Sequence, residues 1–147
     1  MSYTIYLSGE IHSDWREQIK QGIIDKQLDI EVLSPITDHD TSDNVGSNIL
    51  GAEENSFWKD HKAAKINALR SNSYISRSDI VVIRFGEKYK QWNAAFDAGI
   101  ATGLGIPTII MHAPELTHPL KEVDAAALAV TETPQQVVEI LEYISQV

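Results

Sequence analysis

Asp97 is the residue that most needs an explanation. It is the only charged residue in the stretch Gln91 to Leu104, which otherwise reads Gln, Trp, Asn, Ala, Ala, Phe, Ala, Gly, Ile, Ala, Thr, Gly and Leu. The spacing is helical: Trp92, Phe96 and Ile100 form one apolar stripe, and Ala94, Ala98 and Ala101 a small-residue stripe beside it. A helix apolar nearly all round is expected to be buried, which would leave Asp97 partly desolvated. An isolated carboxylate in such a place is costly, so it has a hydrogen-bonded partner, a raised pKa or a chemical task. Capping of a neighbouring loop and pairing with an arginine are the structural alternatives. Gly99 and Gly103 each cost about 1 kcal/mol of helix propensity relative to Ala, which points to a backbone or a ligand approaching this helix closely.

Other groups with chemistry to offer lie in two short loops. Ser8-Gly9-Glu10-Ile11-His12-Ser13 joins the first strand to the first helix, and Gly86 to Lys90 follows the third strand. In an open α/β sheet, ligands bind outside the carboxyl ends of the strands, where both loops fall. Gly9, Glu10, His12 and Ser13 are therefore candidate binding residues, with His12 and Ser13 facing a ribose or a phosphate at a helix N-terminus. A solvated loop histidine is the other reading of His12. Arg84, Gly86 and Lys88 are the candidates in the second loop, Arg84 and Lys88 as phosphate ligands, although Arg84 can instead pair with Glu87. Tyr6 and Asn93 are placed to hydrogen-bond a sugar.

The elements that must position these groups can be read in order. Tyr3 to Leu7 is the first strand, and Asp14-Trp15-Arg16-Glu17 has the form of a capping box opening a helix that runs to about Lys26. Asp29 to Leu33 is the second strand. Residues 34–58 read as a long irregular loop, rich in Asp, Ser, Asn and Gly between Ser34 and Ser56, and are expected to form a substrate-covering lid or a solvated segment. Asp38-His39-Asp40 and Ser42-Asp43-Asn44 invite a metal reading, but they lack the ligand order and the final Glu of a calcium loop, and no metal is expected. Lys59 to Tyr74 is a helix. Asp79 to Phe85 is an apolar, β-branched run of the kind buried on both faces of a parallel sheet, and Pro107 to Met111 is another. With the helix between them they make one right-handed βαβ unit. Ala126 to Val130 is read as a fifth strand. Thr133-Pro134 is an N-cap with proline at N1, opening an amphipathic helix from Gln135 to Ile144. The expected architecture is a single α/β domain, a flavodoxin-like doubly wound parallel sheet in strand order 2-1-3-4-5.

At this point the residues resemble a known family. Phe96-Asp97-Ala98-Gly99-Ile100-Ala101 followed by Gly105-Ile106-Pro107 is similar to the signature of nucleoside 2-deoxyribosyltransferase-like proteins. More closely, Gly9-Glu10-Ile11-His12-Ser13 together with Phe85 to Asn93 resembles the bacterial YtoQ family, nearly end to end. The resemblance implies that Asp97 is a nucleophile attacking an anomeric carbon, one methylene shorter than the usual Glu. It implies that Tyr6 and Gly9 form the opening tyrosine-x-x-glycine turn. It also places two substitutions: Ser71 and Gln91 stand where relatives carry the carboxylates that help the leaving base. The implied activity is cleavage or transfer at the N-glycosidic bond of a nucleoside or nucleotide, by a glycosyl ester or a stabilised oxocarbenium. The rival reading, favoured by the two missing acids, is a non-catalytic nucleotide-binding or sensing module on the same scaffold.

Composition narrows the remaining classes. The 147 residues are 43% hydrophobic and 22% charged, ordinary for a globular domain. The formal net charge of −9 repels phosphate polymers, so a small molecule is the expected partner and no nucleic-acid polymer is. With no cysteine, thiolate catalysis and disulfides are excluded. No apolar run approaches the roughly 18 residues of a membrane helix, and Met1 to Gly9 lacks a basic start and a long apolar core. No membrane partner is therefore expected, and the expected location is cytoplasmic. A dinucleotide fingerprint and a Walker loop are missing, and no cofactor is expected. Trp58, Tyr89 and Trp92 suggest an apolar surface and hence a homo-oligomer.

Overall fold

The computed structural model describes residues 2–147. Five parallel strands, β1 (Tyr3–Gly9), β2 (Ile30–Leu33), β3 (Ile80–Arg84), β4 (Thr108–Met111) and β5 (Ala129–Thr131), lie in the order β2-β1-β3-β4-β5. The helices are α1 (Trp15–Asp25), α2 (His39–Leu50), α3 (Ser56–Ser76), α4 (Trp92–Gly103), α5 (Lys121–Ala126) and α6 (Pro134–Ile144). Side-chain alternation along the strands builds two cores. Ile5, Leu7, Ile80, Val82, Ile109 and Met111 face α1 and α6, which contribute Trp15, Ile19, Ile23, Val137, Val138 and Leu141. Tyr6, Val81, Ile83 and Ile110 face the other way, against Ile75 of α3 and Ala94, Ala98 and Ala101 of α4. The sheet, its order and the α/β class agree with the sequence reading. No helix among the described residues is long and apolar enough to cross a membrane.

Several local expectations need correction. Residues 34–58 are not an irregular loop: His39–Leu50 is helix α2, capped by the Asp38 carboxylate accepting from the Thr41 amide at 2.8 Å, and α3 already begins at Ser56. Polar composition hid a helix that packs on another helix, with Gly46 its single buried residue. Asp14 makes no side-chain cap to α1; its carboxylate accepts from Gln18 at 2.7 Å, and Glu17 pairs with Lys20 at 2.9 Å. The segment from Lys121 to Ala126 is helical, so β5 starts later than expected, at Ala129, where Thr131 falls in register with Met111. The expected capping box of the last helix is present, joining Thr133 and Gln136. Finally, α4 is not buried all round. Its alanines lie on the sheet, while Trp92 and Phe96 are 72% and 69% exposed. Small side chains let the helix backbone approach the strands, and this turns the aromatic stripe outward.

At the carboxyl end of β4, His112 is buried with both ring nitrogens against acceptors. Nδ1 faces the Ala113 carbonyl at 2.7 Å and Nε2 faces Asp124 Oδ2 at 2.8 Å. Neither partner can donate, so the ring bonds both only as the imidazolium. Burial opposes the charge, but the Ala113 carbonyl and the Asp124 carboxylate outweigh it and raise the pKa above the usual 6.5. The other carboxylate oxygen, Asp124 Oδ1, is buried without a partner, which makes the imidazolium the main compensation for that charge. A group whose folded pKa is raised contributes stability fully below its unfolded pKa and loses it as pH rises through the folded value. Melting temperature is therefore expected to fall on going from below 6.5 to alkaline pH. His112→Gln is expected to remove that component and to cost about 1.5–3 kcal/mol at acidic pH, the range for hydrogen bonds to charged groups. A variant whose melting curve tracks the wild type at every pH would refute this.

Candidate active site

The carboxyl ends of β1 and β3 and the first half of α4 surround the candidate groups. Tyr6 and Ser8 project to the same face of β1, towards α3 and α4, because they are two residues apart. Ser8 Oγ donates to Asp97 Oδ2 at 2.6 Å. Asp97 sits on the edge of the packed face of α4, between the buried Ala94 and Ala98. Burial raises its pKa above the ordinary carboxylate value, and the Ser8 hydroxyl works in the opposite direction. Among the described residues Asp97 makes no ion pair, so pairing with an arginine does not account for it.

Tyr6 is fully buried and its hydroxyl donates to Ser71 Oγ at 3.4 Å. Its pKa is pushed up to about 12, chiefly by burial, with Ser71 opposing and the Asp97 charge adding to the rise. Tyr6, Ser8, Ser71 and Asp97 thus form a polar floor drawn from β1, α3 and α4. Asn93 lies one turn before Asp97 on α4, exposed.

Above the floor the chain turns sharply at Gly9, whose φ is +107°. A Cβ there would stand 2.1 Å from the Arg84 carbonyl oxygen, so only glycine lets β1 and β3 run together to this point. Glu10, 5% exposed, then folds its side chain back into the turn. One carboxylate oxygen accepts from the His12 amide, and the other accepts from Ser13 Oγ at 2.5 Å and from Arg84 at 2.8 Å. Burial works against that charge, but Ser13, His12 and Arg84 together outweigh it and hold the pKa below the usual range. Behind the loop, the buried Arg16 donates to the carbonyls of Leu7, Gly9 and Glu10, and Trp15 Nε1 donates to the same Glu10 carbonyl at 2.7 Å.

The second loop completes the rim. Gly86 is buried; a Cβ would meet Glu10 Cγ at 2.6 Å, so its bareness makes room for the Glu10 side chain. Its amide donates to Gln91 Oε1 at 2.9 Å, which makes Gln91 a clamp across the loop. Arg84 also approaches Glu87, at 3.7 Å. Lys88 is exposed, its amino group 5.3 Å from the Tyr89 ring centroid. The His12 ring lies 4.7 Å from Tyr89 and 5.4 Å from His39 at the start of α2.

The candidates therefore fall into a floor (Tyr6, Ser71, Asp97) and a rim (Glu10, His12, Ser13, Arg84, Lys88), with Gly9, Gly86 and Gln91 shaping the backbone between them. Ser8, His39 and Tyr89 were not singled out as site residues by the sequence. Ser8 carried a usable signal: a hydroxyl on an otherwise apolar strand, in phase with Tyr6. His39 lay in the stretch read as a loop. A separate depression lies between α3 and α4, lined by Asn72, Ser73, Ser76, Gly99, Ile100, Gly103 and Leu104. It holds no titratable side chain, and Asp97 is not among its lining residues. Among the described residues no three His, Asp or Glu side chains are grouped to hold a metal ion.

Comparison with known proteins bears on the fold and the family. The YtoQ protein of Bacillus subtilis (strain 168) is 44% identical over 144 residues, covering 98% of this chain and 97% of that one. Among solved structures, a conserved protein from Enterococcus faecalis V583 superposes with a TM-score of 0.64 at 14% identity, over 98% of this chain and 99% of that one. The 2-deoxyribosyltransferase of Bacillus psychrosaccharolyticus superposes at 0.55 with 18% identity, over 92% and 90%. At these identities the two structures establish a shared fold. The family described as "Nucleoside 2-deoxyribosyltransferase YtoQ" matches residues 6–145, and the chain belongs to it.

Proposed function

We propose that this protein is an enzyme of the N-glycosidic bond, with Asp97 as nucleophile and a nucleoside-type small molecule as substrate. The observation that carries the reading is a largely buried carboxylate without a cation, held by one hydroxyl at the carboxyl edge of the sheet. Such a group is destabilised as an anion and gains by sharing its charge with a developing oxocarbenium. In the first step a carboxylate oxygen of Asp97 bonds to the anomeric carbon, and the carbon–nitrogen bond electrons leave with the base. The base takes a proton from solvent, because Ser71 and Gln91 cannot supply one as a carboxylic acid would. In the second step water, or a second base, attacks the same carbon, the carbon–oxygen bond to Asp97 breaks with its electrons returning to the carboxylate, and the attacking group gives its proton to solvent. Ser8 fixes the carboxylate's orientation, Tyr6 backs the floor, and Asn93 reaches the sugar from the outer turn of α4.

The second reading, a binding module without catalysis, is favoured by one observation: Ser71 and Gln91 are engaged with Tyr6 and Gly86 rather than free for a ligand. Chromatographic release of free base from a panel of ribo- and 2′-deoxyribonucleosides and their 5′-phosphates separates the two. Catalytic release supports the enzyme; saturable binding with no release from any member favours the module.

The proposal includes a cytoplasmic homo-oligomer. Trp58 and Tyr89 are each 52% exposed, Trp92 and Phe96 more so, and among the described residues nothing outside the helix's own neighbouring backbone lies within 4 Å of a Cβ built at Gly99 or Gly103. The bare glycines leave space on α4 for a body from outside the chain, and the apolar surface is of the kind that marks interfaces. Sedimentation at tens of micromolar (on the order of a weak interface's dissociation constant) is expected to give a species larger than the 16.4 kDa monomer. A monomer there would refute it.

A further inference from the structure

We propose that Glu10 is a built-in anion that fills a phosphate-sized cradle beside the reaction centre, so that the protein selects substrates whose sugar carries no 5′-phosphate. This rests on the glycosidic reading for its substrate, but the cradle itself is argued from the β1–α1 turn alone.

The donors around Glu10 are of the kind that hold a phosphate: a backbone amide in the turn that leads to α1, a serine hydroxyl and an arginine nitrogen. All three already end on the Glu10 carboxylate. His12 donates its amide to one oxygen, and Ser13 and Arg84 donate to the other at 2.5 and 2.8 Å. The fit is enforced from both sides. Trp15 and Arg16 hold the Glu10 carbonyl from behind, which fixes where the side chain starts. Gly86 leaves the space into which it folds, since a Cβ there would press on Glu10 Cγ at 2.6 Å.

The cradle and the Ser8–Asp97 pair share one edge of the sheet: Ser8 donates to Asp97, and the next residue, Gly9, stands in register with Arg84, the cation of the cradle. A phosphate on a sugar held over Asp97 would thus come to a place that is already negative. It would have to displace a carboxylate held by a charge-assisted hydrogen bond or stand against it as a like charge. Lys88, the nearby cation not tied to Glu10, lies over Tyr89 at the exposed rim and offers one point charge without a fork.

Removing the Glu10 side chain should turn the filled cradle into an open one. The test uses the full chain, with Glu10→Ala and Glu10→Ser as alternatives in case one folds poorly. Melting curves are recorded in inorganic phosphate and in chloride of matched ionic strength. The wild type should melt at the same temperature in both. Each variant should be destabilised in chloride, where Arg84 has lost its nearest carboxylate, and should recover by roughly 2–4 °C or more in phosphate, the shift that about 1 kcal/mol produces in a domain of this size. In parallel, the ratio of kcat/KM for a nucleoside 5′-monophosphate to that for the nucleoside should rise at least about tenfold in the variants, a change worth about 1.4 kcal/mol. Phosphate stabilisation of the wild type equal to that of the variants, or of neither, overturns the proposal. If no substrate is cleaved by any form, the glycosidic reading fails while the melting curves still decide whether the cradle exists.

Discussion

Asp97→Asn is expected to abolish base release while leaving the fold intact. Asn keeps the shape of the side chain and still accepts from Ser8, but a neutral amide neither attacks a carbon nor stabilises a cation. Loss of a covalent nucleophile commonly removes several powers of ten in rate, on the order of 4 kcal/mol or more of transition-state stabilisation. The fold should survive because, among the described residues, Asp97 has no cationic partner to be left uncompensated. If it held a buried cation, the same change would cost roughly 3–5 kcal/mol. The pH dependence carries the same message. Burial raises the folded pKa of Asp97 above 3.8, so the native state is favoured by protonation of this group. Its contribution to stability is full below the unfolded pKa and is lost as pH climbs through the window up to the folded value. At neutral pH the variant, freed of that loss, should melt at the wild-type temperature or above it. On the proposed mechanism, activity should show an acid limb at the raised pKa, since only an ionised carboxylate is a nucleophile. Full base release by Asp97→Asn would move the reaction centre off α4 altogether.

The next largest effect is expected at Gly9. Alanine there must adopt a φ near +107° and place its Cβ 2.1 Å from the Arg84 carbonyl oxygen. Left-handed backbone strain costs on the order of 1–3 kcal/mol, and forced overpacking about as much again. Gly9→Ala is therefore expected to lose roughly 2–6 kcal/mol of stability, by denaturant titration, and to disorder the turn that seats Glu10. Gly51 is the control. It also has a positive φ, of +95°, but no atom lies within 4 Å of a Cβ built there, so Gly51→Ala should cost only the strain. Equal losses at both glycines would show that the clash with Arg84 is relieved at no expense.

The parts of this architecture that the sequence made legible are those where burial on both faces leaves little choice. Asp79 to Phe85 and Pro107 to Met111 could be little else than central parallel strands, and the strand order follows from the βαβ connections. Asp97 stood out because a single charge in an apolar helix demands a cause. What stayed hidden depends on partners distant in sequence. Helix α2 draws its burial from α3 rather than from an apolar stripe of its own, so its polar surface reads as loop. The outward turn of Trp92 and Phe96 follows from how near the alanines bring α4 to the sheet, which periodicity does not measure. Glu10 and Arg84 are 74 residues apart, and their pairing comes from the parallel register that sets Gly9 against Arg84.

The way α2 is attached has one more consequence. It packs on α3 and contributes one buried residue, so detaching it breaks no part of the sheet. Elements of that kind open by local unfolding, at a free energy well below that of the whole domain. His39 travels with it, and its contact with His12 breaks when α2 lifts. The rim around His12 is therefore built partly on the edge of the strands and partly on a helix that packs on α3 and not on the sheet. Opening of α2 would remove His39 from beside His12 while leaving Asp97 bonded to Ser8 of β1.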